Sequence, residues 1–402
     1  MGTLHALTPA SRSVQHGGAT PSPPPGNCSI RTGPARRCAV PSRAVHGARR
    51  TGIFRNDHRG TAMQRRQFLS RSLATTAALG APFAPFVHAQ GTLVPLKFTL
   101  DFRVTSQTSP FFLALAKGYY KEEGLDVSID VGSGSVASIT RVASGAYDLG
   151  LGDLSSLVEF QAQNPGTPVQ AIYQYYQRAP FVIIGRKDRG ITTDFLSLKG
   201  KRVAAAAVES TRRCWPMVAR ALKTGPDLFE WVTTDFSARD NVMVRGDVDA
   251  ATYFHDSAVS LFARMLPRDL AVLEYGKAGL HLYGNALLAG RLLQDKPDAA
   301  RGFLRASQRA LRETLANPDA ALAAIKAREP ILNMEVERER WSITRQYLAP
   351  PDLPAQALGH VQPDVLGRQI DEVAAVFQLA AKPAPERVFN NGFLPAGLKG
   401  AA

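Results

Sequence analysis

GYYKEEGLDVSIDVGSGSVASITRVASGAYDLGLGD, residues 118–153, strings a helix end, a strand, a glycine-serine turn, a second helix and a second strand into 36 residues. Just upstream, Ser109-Pro110 gives an N-cap followed by proline at the first helical position, and Phe111, Phe112, Leu115 and Tyr119 recur at helical spacing until Gly124 stops the helix. Val127, Ile129 and Val131 alternate with polar neighbours, which is the period of a strand. Gly132-Ser133-Gly134-Ser135 turns the chain into a helix whose Val136, Ile139 and Val142 lie three apart and whose end is marked by Gly145. Leu149-Gly150-Leu151 then makes a short buried strand running into Asp153. One βαβ unit with two parallel strands and a right-handed crossover accounts for the run, so the fold class is α/β.

In such sheets ligands sit beyond the carboxyl ends of the strands. Here those ends carry Ser133, Gly134 and Ser135 on one side and Asp153 to Ser156 on the other. Each loop enters a helix whose first N–H groups lack intrahelical partners and favour an anion or a strong acceptor. Ser135, Asp153 and Ser155 equally suit plain N-capping.

KGYYKEEGLDV, the G-S-G-S turn and RVASGAYDLGLGD resemble the first lobe of the periplasmic substrate-binding proteins of the nitrate, sulfonate and taurine class, related to the NMT1/THI5-like proteins. Asn164-Pro165-Gly166-Thr167-Pro168-Val169, Leu198-Lys199-Gly200-Lys201-Arg202-Val203, Gly246-Asp247-Val248-Asp249-Ala250, Leu282-Tyr283-Gly284-Asn285 and Asn391-Gly392-Phe393-Leu394-Pro395 follow in the family's order. The resemblance implies a two-lobed periplasmic binding protein fold of type II, with a ligand cleft between lobes joined by a hinge. One lobe is expected over residues 95–179 plus 281–402, the other over 180–280.

The front of the chain has a different character. Residues 1–62 carry nine arginines against one acid, and Arg65, Arg66 and Arg71 add three positive charges, which leaves +3 of the formal +14 for everything after Ala89. A nucleic-acid partner thereby loses its main support. Rich in proline, glycine, serine and arginine, residues 1–62 are expected as a disordered or mis-annotated leader. Met63-Gln64-Arg65-Arg66-Gln67-Phe68-Leu69 reads as a twin-arginine motif, followed by an apolar run and a small-residue cleavage pattern at Val87-His88-Ala89. Residues 63–89 are therefore expected as a signal peptide, and the remainder as a periplasmic protein. Cys214 alone follows the leader, so neither an intrachain disulfide nor a cysteine metal site is expected; it suits packing as a small hydrophobe.

Further along, residues 96–100 alternate as a first strand ending at Asp101-Phe102-Arg103. The resemblance places ligand contacts just after that strand, on Phe102, Arg103 and the Ser106-Gln107 pair; Asp101 and Arg103 also suit a simple ion pair. Tyr173, Tyr175 and Tyr176 follow another strand, and alternation lets only some of them face a ligand, with Tyr175 the choice. Glu209-Ser210-Thr211 repeats the strand, small polar turn and helix arrangement, so Ser210 and Thr211 are the second lobe's candidates opposite Ser135, with N-capping as the alternative. Phe181 begins the crossing into the second lobe, and the return passes through Tyr283 and Asn285, both carried over by position in the family. His255 is a lone histidine without a nucleophile in a recognisable motif beside it, and suits a structural role. From Lys296 onward the pattern is helical, with charges such as those of residues 335–340 expected on a solvated face.

These readings favour the solute-binding component of an ABC importer that hands a small organic nitrogen or sulfur compound to separately encoded permease and ATPase subunits. No cofactor and no metal are expected, and the protein is expected as a monomer. Phe102, Tyr175, Trp215, Tyr253 and Tyr283 would stack on a heterocycle such as an aminopyrimidine, while opposed helix N-termini with Arg103 or Arg178 would suit a sulfonate, carboxylate or nitrate. The alternatives are an enzyme like the related pyrimidine synthase and a sensor for a membrane receptor. Where that enzyme has a cysteine-rich run, this chain reads Gly276-Lys277-Ala278-Gly279-Leu280-His281-Leu282, without cysteine.

Overall fold

The computed structural model describes residues 92–354 and 357–395, so the leader and signal expected over residues 1–89 lie outside the described residues. In chain order the elements are β1 Val94–Thr99, α1 Ser109–Ala116, α2 Tyr119–Glu122, β2 Leu125–Asp130, α3 Ser135–Ala143, β3 Leu149–Asp153, α4 Leu154–Gln163 and β4 Gln170–Gln174. Then come β5 Phe181–Arg186, β6 Arg202–Ala205, α5 Ser210–Ala221, β7 Glu230–Thr233, α6 Arg239–Arg245, β8 Ala250–Phe254, α7 Val259–Phe262, β9 Leu270–Glu274 and β10 Asn285–Ala289. The rest is helical: α8 Leu292–Asp295, α9 Pro297–Ala316, α10 Asp319–Arg328, α11 Met334–Leu348, α12 Pro363–Val376 and α13 Pro385–Val388.

Two five-stranded sheets of the same plan organise these elements, in the orders β2-β1-β3-β10-β4 and β7-β6-β8-β5-β9. In the first, β2 and β3 both run parallel to β1, which lies between them, so the βαβ unit read from the sequence crosses over one inserted strand. β10 is antiparallel to β3 and β4, just as β5 is antiparallel to β8 and β9. These two antiparallel strands are the first segments after the chain changes sheet, once between β4 and β5 and again between β9 and β10. Each sheet thus depends on a strand delivered by a crossing, and the carboxyl ends of β1, β2 and β3 gather on one edge beside the crossings.

Local chemistry explains the elements. Leu125, Val127 and Ile129 are buried while their neighbours are exposed, as alternation dictates for β2. The single helix expected up to Gly124 is instead two, α1 and α2, because Gly118 takes the left-handed conformation (φ 74°) between them. Gly132 admits no side chain: a Cβ there would stand 2.0 Å from the Leu100 carbonyl oxygen.

The late helices do more than clad the first sheet. While α9 packs on α1, α2 and β2, α12 touches both α4 and α5. α11 packs on α7 and on the turns at residues 106–108 and 255–258. Of the solvated face expected over residues 335–340, Glu335, Arg338 and Glu339 are exposed, whereas Glu337 and Arg340 are buried and paired, which corrects the expectation for those two. Glu337 accepts the Ser106 N–H at 2.6 Å, and Arg340 donates to the Asp256 carbonyl oxygen at 2.7 Å. One helix therefore ties the turn beyond β1 to the turn beyond β8.

Candidate functional site

The loop after β1 is fixed by backbone pairing. Gly134 donates its N–H to the Asp101 carbonyl oxygen at 2.7 Å and Gly132 to that of Phe102 at 3.0 Å, so the ends of β1 and β2 present Asp101, Phe102, Gly134 and Ser135 together. Gly134 takes φ 109° before α3, and a Cβ there would stand 3.6 Å from Val208 Cγ2, in the loop before α5. From the second sheet come Glu209 and Ser210 at the start of α5, Phe236 after β7, Arg239 at the start of α6, and Phe254 and Ser257 around the end of β8. Together with Gln107 these residues line a narrow cleft of about 30 Å³.

Aromatic rings dominate its walls. Phe102 and Phe236 meet edge to face with centroids 5.1 Å apart, one contributed beyond each sheet. Arg103 lies 5.0 Å from the Phe102 ring and reaches the Phe236 carbonyl oxygen at 3.5 Å.

Two buried carboxylates face this space in different states. Asp101 Oδ2 accepts from Asn285 Nδ2 at 2.6 Å, while Oδ1 has no partner among the described residues. Burial pushes the Asp101 carboxyl up to about 7; the hydrogen bond from Asn285 opposes the shift, and the Asp256 and Asp153 charges add to it. Glu209 is held from both sides: Oε1 accepts from Arg239 at 2.7 Å, and Oε2 from the Thr252 hydroxyl at 2.7 Å. The Arg239 guanidinium also lies 3.9 Å from the Tyr253 ring, yet its Nε is buried without an acceptor. Among the residues that line the cleft, Asp101 thus carries a buried acceptor and Arg239 a buried donor without a partner, with aromatic side chains beside them.

The residues singled out from sequence divide into three groups. Phe102, Gly134, Ser135 and Ser210 line the cleft, and Arg103 stands at its rim. Asn285 lies just behind, orienting Asp101. Others are structural: Asp153 caps α4 by accepting the Ser156 N–H at 2.8 Å, and burial raises its carboxyl to about 6. The Thr211 hydroxyl donates to the Tyr253 carbonyl oxygen, and Ser133 is exposed outside the lining. Tyr175 is buried against Phe111 and donates to the Gln107 carbonyl oxygen at 2.6 Å. The Tyr283 hydroxyl accepts the Gln362 N–H at 2.7 Å. Neither Ser135 nor Ser210 is an N-cap, because Gly134 and Glu209 occupy those positions.

Trp215 and Tyr253 are core residues, Trp215 donating to the Pro226 carbonyl oxygen. Arg178 pairs with exposed Asp352. His255 shares a hydrogen bond with the Tyr347 hydroxyl, and burial lowers its pKa. Buried Cys214 has a thiol pushed well up by desolvation, which suits packing and not nucleophilic attack. Among the described residues, no group of three or more His, Cys, Asp or Glu side chains could hold a metal ion.

Sequence reasoning did not select Glu209, Phe236, Arg239, Phe254 or Ser257. Their signal was positional: each lies just past a strand of the second sheet or at the first turn of the following helix.

The family profile described as NMT1/THI5 like matches residues 105–321. A 4-amino-5-hydroxymethyl-2-methylpyrimidine phosphate synthase of Aspergillus parasiticus is 26% identical over 270 residues, covering 61% of this chain and 73% of that protein. The riboflavin-binding protein RibY of Chloroflexus aurantiacus is 24% identical over 333 residues, covering 80% and 92%. Among solved structures, the alkanesulfonate-binding protein SsuA of Xanthomonas axonopodis pv. citri, bound to MOPS, superposes with a TM-score of 0.57 at 15% identity, covering 76% and 99%. The fold is that of the periplasmic binding proteins.

Proposed function

The chain belongs to the NMT1/THI5-like family, and from that premise we propose that it is the periplasmic solute-binding component of an ABC importer, taking a small nitrogen heterocycle of the aminopyrimidine kind. Residues 95–179 with 281–402 act as one lobe and residues 180–280 as the other, closing on the solute by hinge motion at the two crossings. The observation that carries this reading is the unpartnered Asp101 Oδ1 beside three phenylalanines. A flat ring packs against the Phe102–Phe236 pair and Phe254 once the lobes part, while an amino N–H donates to the carboxylate. A bare sulfonate or nitrate fits less well, because the inner cation, Arg239, is already paired with Glu209. Permease and ATPase are separate chains in this reading.

A second reading is an enzyme on the same fold, favoured by the relatives named as pyrimidine phosphate synthases. Thermal unfolding of the purified protein against aminopyrimidines, riboflavin, taurine, alkanesulfonates and nitrate, with analysis of the recovered compound, decides between them. A heterocycle at about a hundred times its Kd adds roughly 2.7 kcal/mol of stability and is recovered unchanged. Stabilisation by sulfonates alone, or recovery of an altered compound, overturns the proposal.

A further inference from the structure

Outside the Phe102–Phe236 contact lies a second, wider basin of about 360 Å³, which shares Phe102, Phe236, Arg239 and Ser257 with the inner cleft. Four arginines line it: Arg103, Arg239, Arg264 and Arg340. Arg340 is committed to Glu337, and Arg239 gives one nitrogen to Glu209 and keeps a buried Nε without an acceptor. Among the described residues, Arg103 and Arg264 have no carboxylate within ion-pair distance, and both are exposed to the basin. Of the acids on the wall, Glu337 is paired with Arg340, and Asp240 is turned to the hydroxyls of Tyr253 and Ser260, which leave its charge in place. Glu329 lies at the far rim. Arg239 with its unpartnered Nε, Arg103 bound only to the Phe236 carbonyl oxygen, and exposed Arg264 thus run from the edge of the aromatic slot out to solvent, an arrangement that rewards an anion.

We propose that this outer basin is an anion subsite, and that the solute is a heterocycle whose acidic substituent passes Arg239 toward Arg103 and Arg264. The inference rests on the reading of the inner slot as a heterocycle site. It divides the recognition: Asp101 and the phenylalanines select the ring, and the arginines select a carboxylate, phosphate or sulfonate tail.

Calorimetric titration of the full chain with two matched pairs tests it: 4-amino-2-methylpyrimidine against its 5-carboxymethyl derivative, and riboflavin against riboflavin 5′-phosphate. In the pair that binds, the acidic member is expected to bind about tenfold tighter or better at low ionic strength, with the preference shrinking as salt is added. In Arg103→Ala/Arg264→Ala the ratio collapses toward one, while in Arg268→Ala, an exposed arginine away from both clefts, it persists. Equal affinity for the neutral and acidic members, or a ratio unmoved in the double variant, overturns the anion subsite and leaves the ring site standing. Failure of both members of both pairs to bind removes the heterocycle reading, and this inference with it.

Discussion

Asp101 and Glu209 look at the same cleft from opposite sheets, and both are almost fully buried, yet one is finished and the other is not. Glu209 has a guanidinium and a hydroxyl on its two oxygens, so its charge is compensated within the fold. Asp101 has one amide on one oxygen, and the other oxygen is left open. A buried carboxylate without a partner is costly, and burial accordingly raises the Asp101 pKa to about 7. The contrast separates architecture from recognition: Glu209 holds Arg239 and the mouth of α5 in place, and Asp101 waits for a donor from outside.

The sharpest way to break the comparison is to remove each acid in turn. Glu209→Ala leaves Arg239 buried without its carboxylate and is expected to cost about 3–5 kcal/mol in urea unfolding. If it costs no more than a surface substitution, Glu209 is not the structural partner. Asp101→Asn keeps an oxygen for Asn285 and removes only the charge, so at pH 4, where both side chains are neutral, stability should stay within about 1 kcal/mol, while at pH 8 affinity for an aminopyrimidine falls about tenfold or more.

Acidity sharpens the same contrast. The Asp101 carboxyl has an ordinary value of 3.8 and a folded value of about 7, so the native protein keeps a proton that the unfolded chain has already released. Its contribution to stability is fully present below about pH 4 and is lost as the pH rises through 7, and Asp153 acts in the same sense up to about 6. Unfolding free energies from urea titration of the wild type should therefore fall more steeply between pH 4 and 7 than those of Asp101→Asn, by an amount on the order of 1–3 kcal/mol. Parallel pH profiles would place the titrating group elsewhere. The smallest effect belongs to Arg338, on α11, which pairs with Asp319 on α10 at an exposed site. Arg338→Ala should cost no more than about 1 kcal/mol.

Much of this was legible before the structure. Periodicity and glycine punctuation in residues 118–153 exposed β2, α3 and β3, because a strand buried on alternate residues and a turn that excludes side chains leave local marks. Phe102, Ser135 and Ser210 line the cleft because each follows a strand end, where local order and cleft geometry coincide. Tyr175, Tyr253 and Trp215 were read as ligand faces and are packed inside, since a single sequence does not show which way an aromatic side chain turns at a strand end. Glu209 and Arg239 stand thirty residues apart in the chain, and only the joining of β6, β7 and β8 in one sheet brings them together. Glu337 and Arg340 misled for the same reason: charge predicts exposure unless tertiary contacts supply a partner, and here each supplies the other's.

The most direct test of the central claim is calorimetric titration of 4-amino-2-methylpyrimidine into wild type and Asp101→Asn at pH 8, where the wild-type carboxylate is ionised. Saturable one-to-one binding to the wild type, weakened about tenfold or more in the variant, is the expected result. Equal affinity in the two proteins, or no binding by the wild type to this compound or to riboflavin, would contradict the assignment of Asp101 as the open acceptor of a heterocycle site.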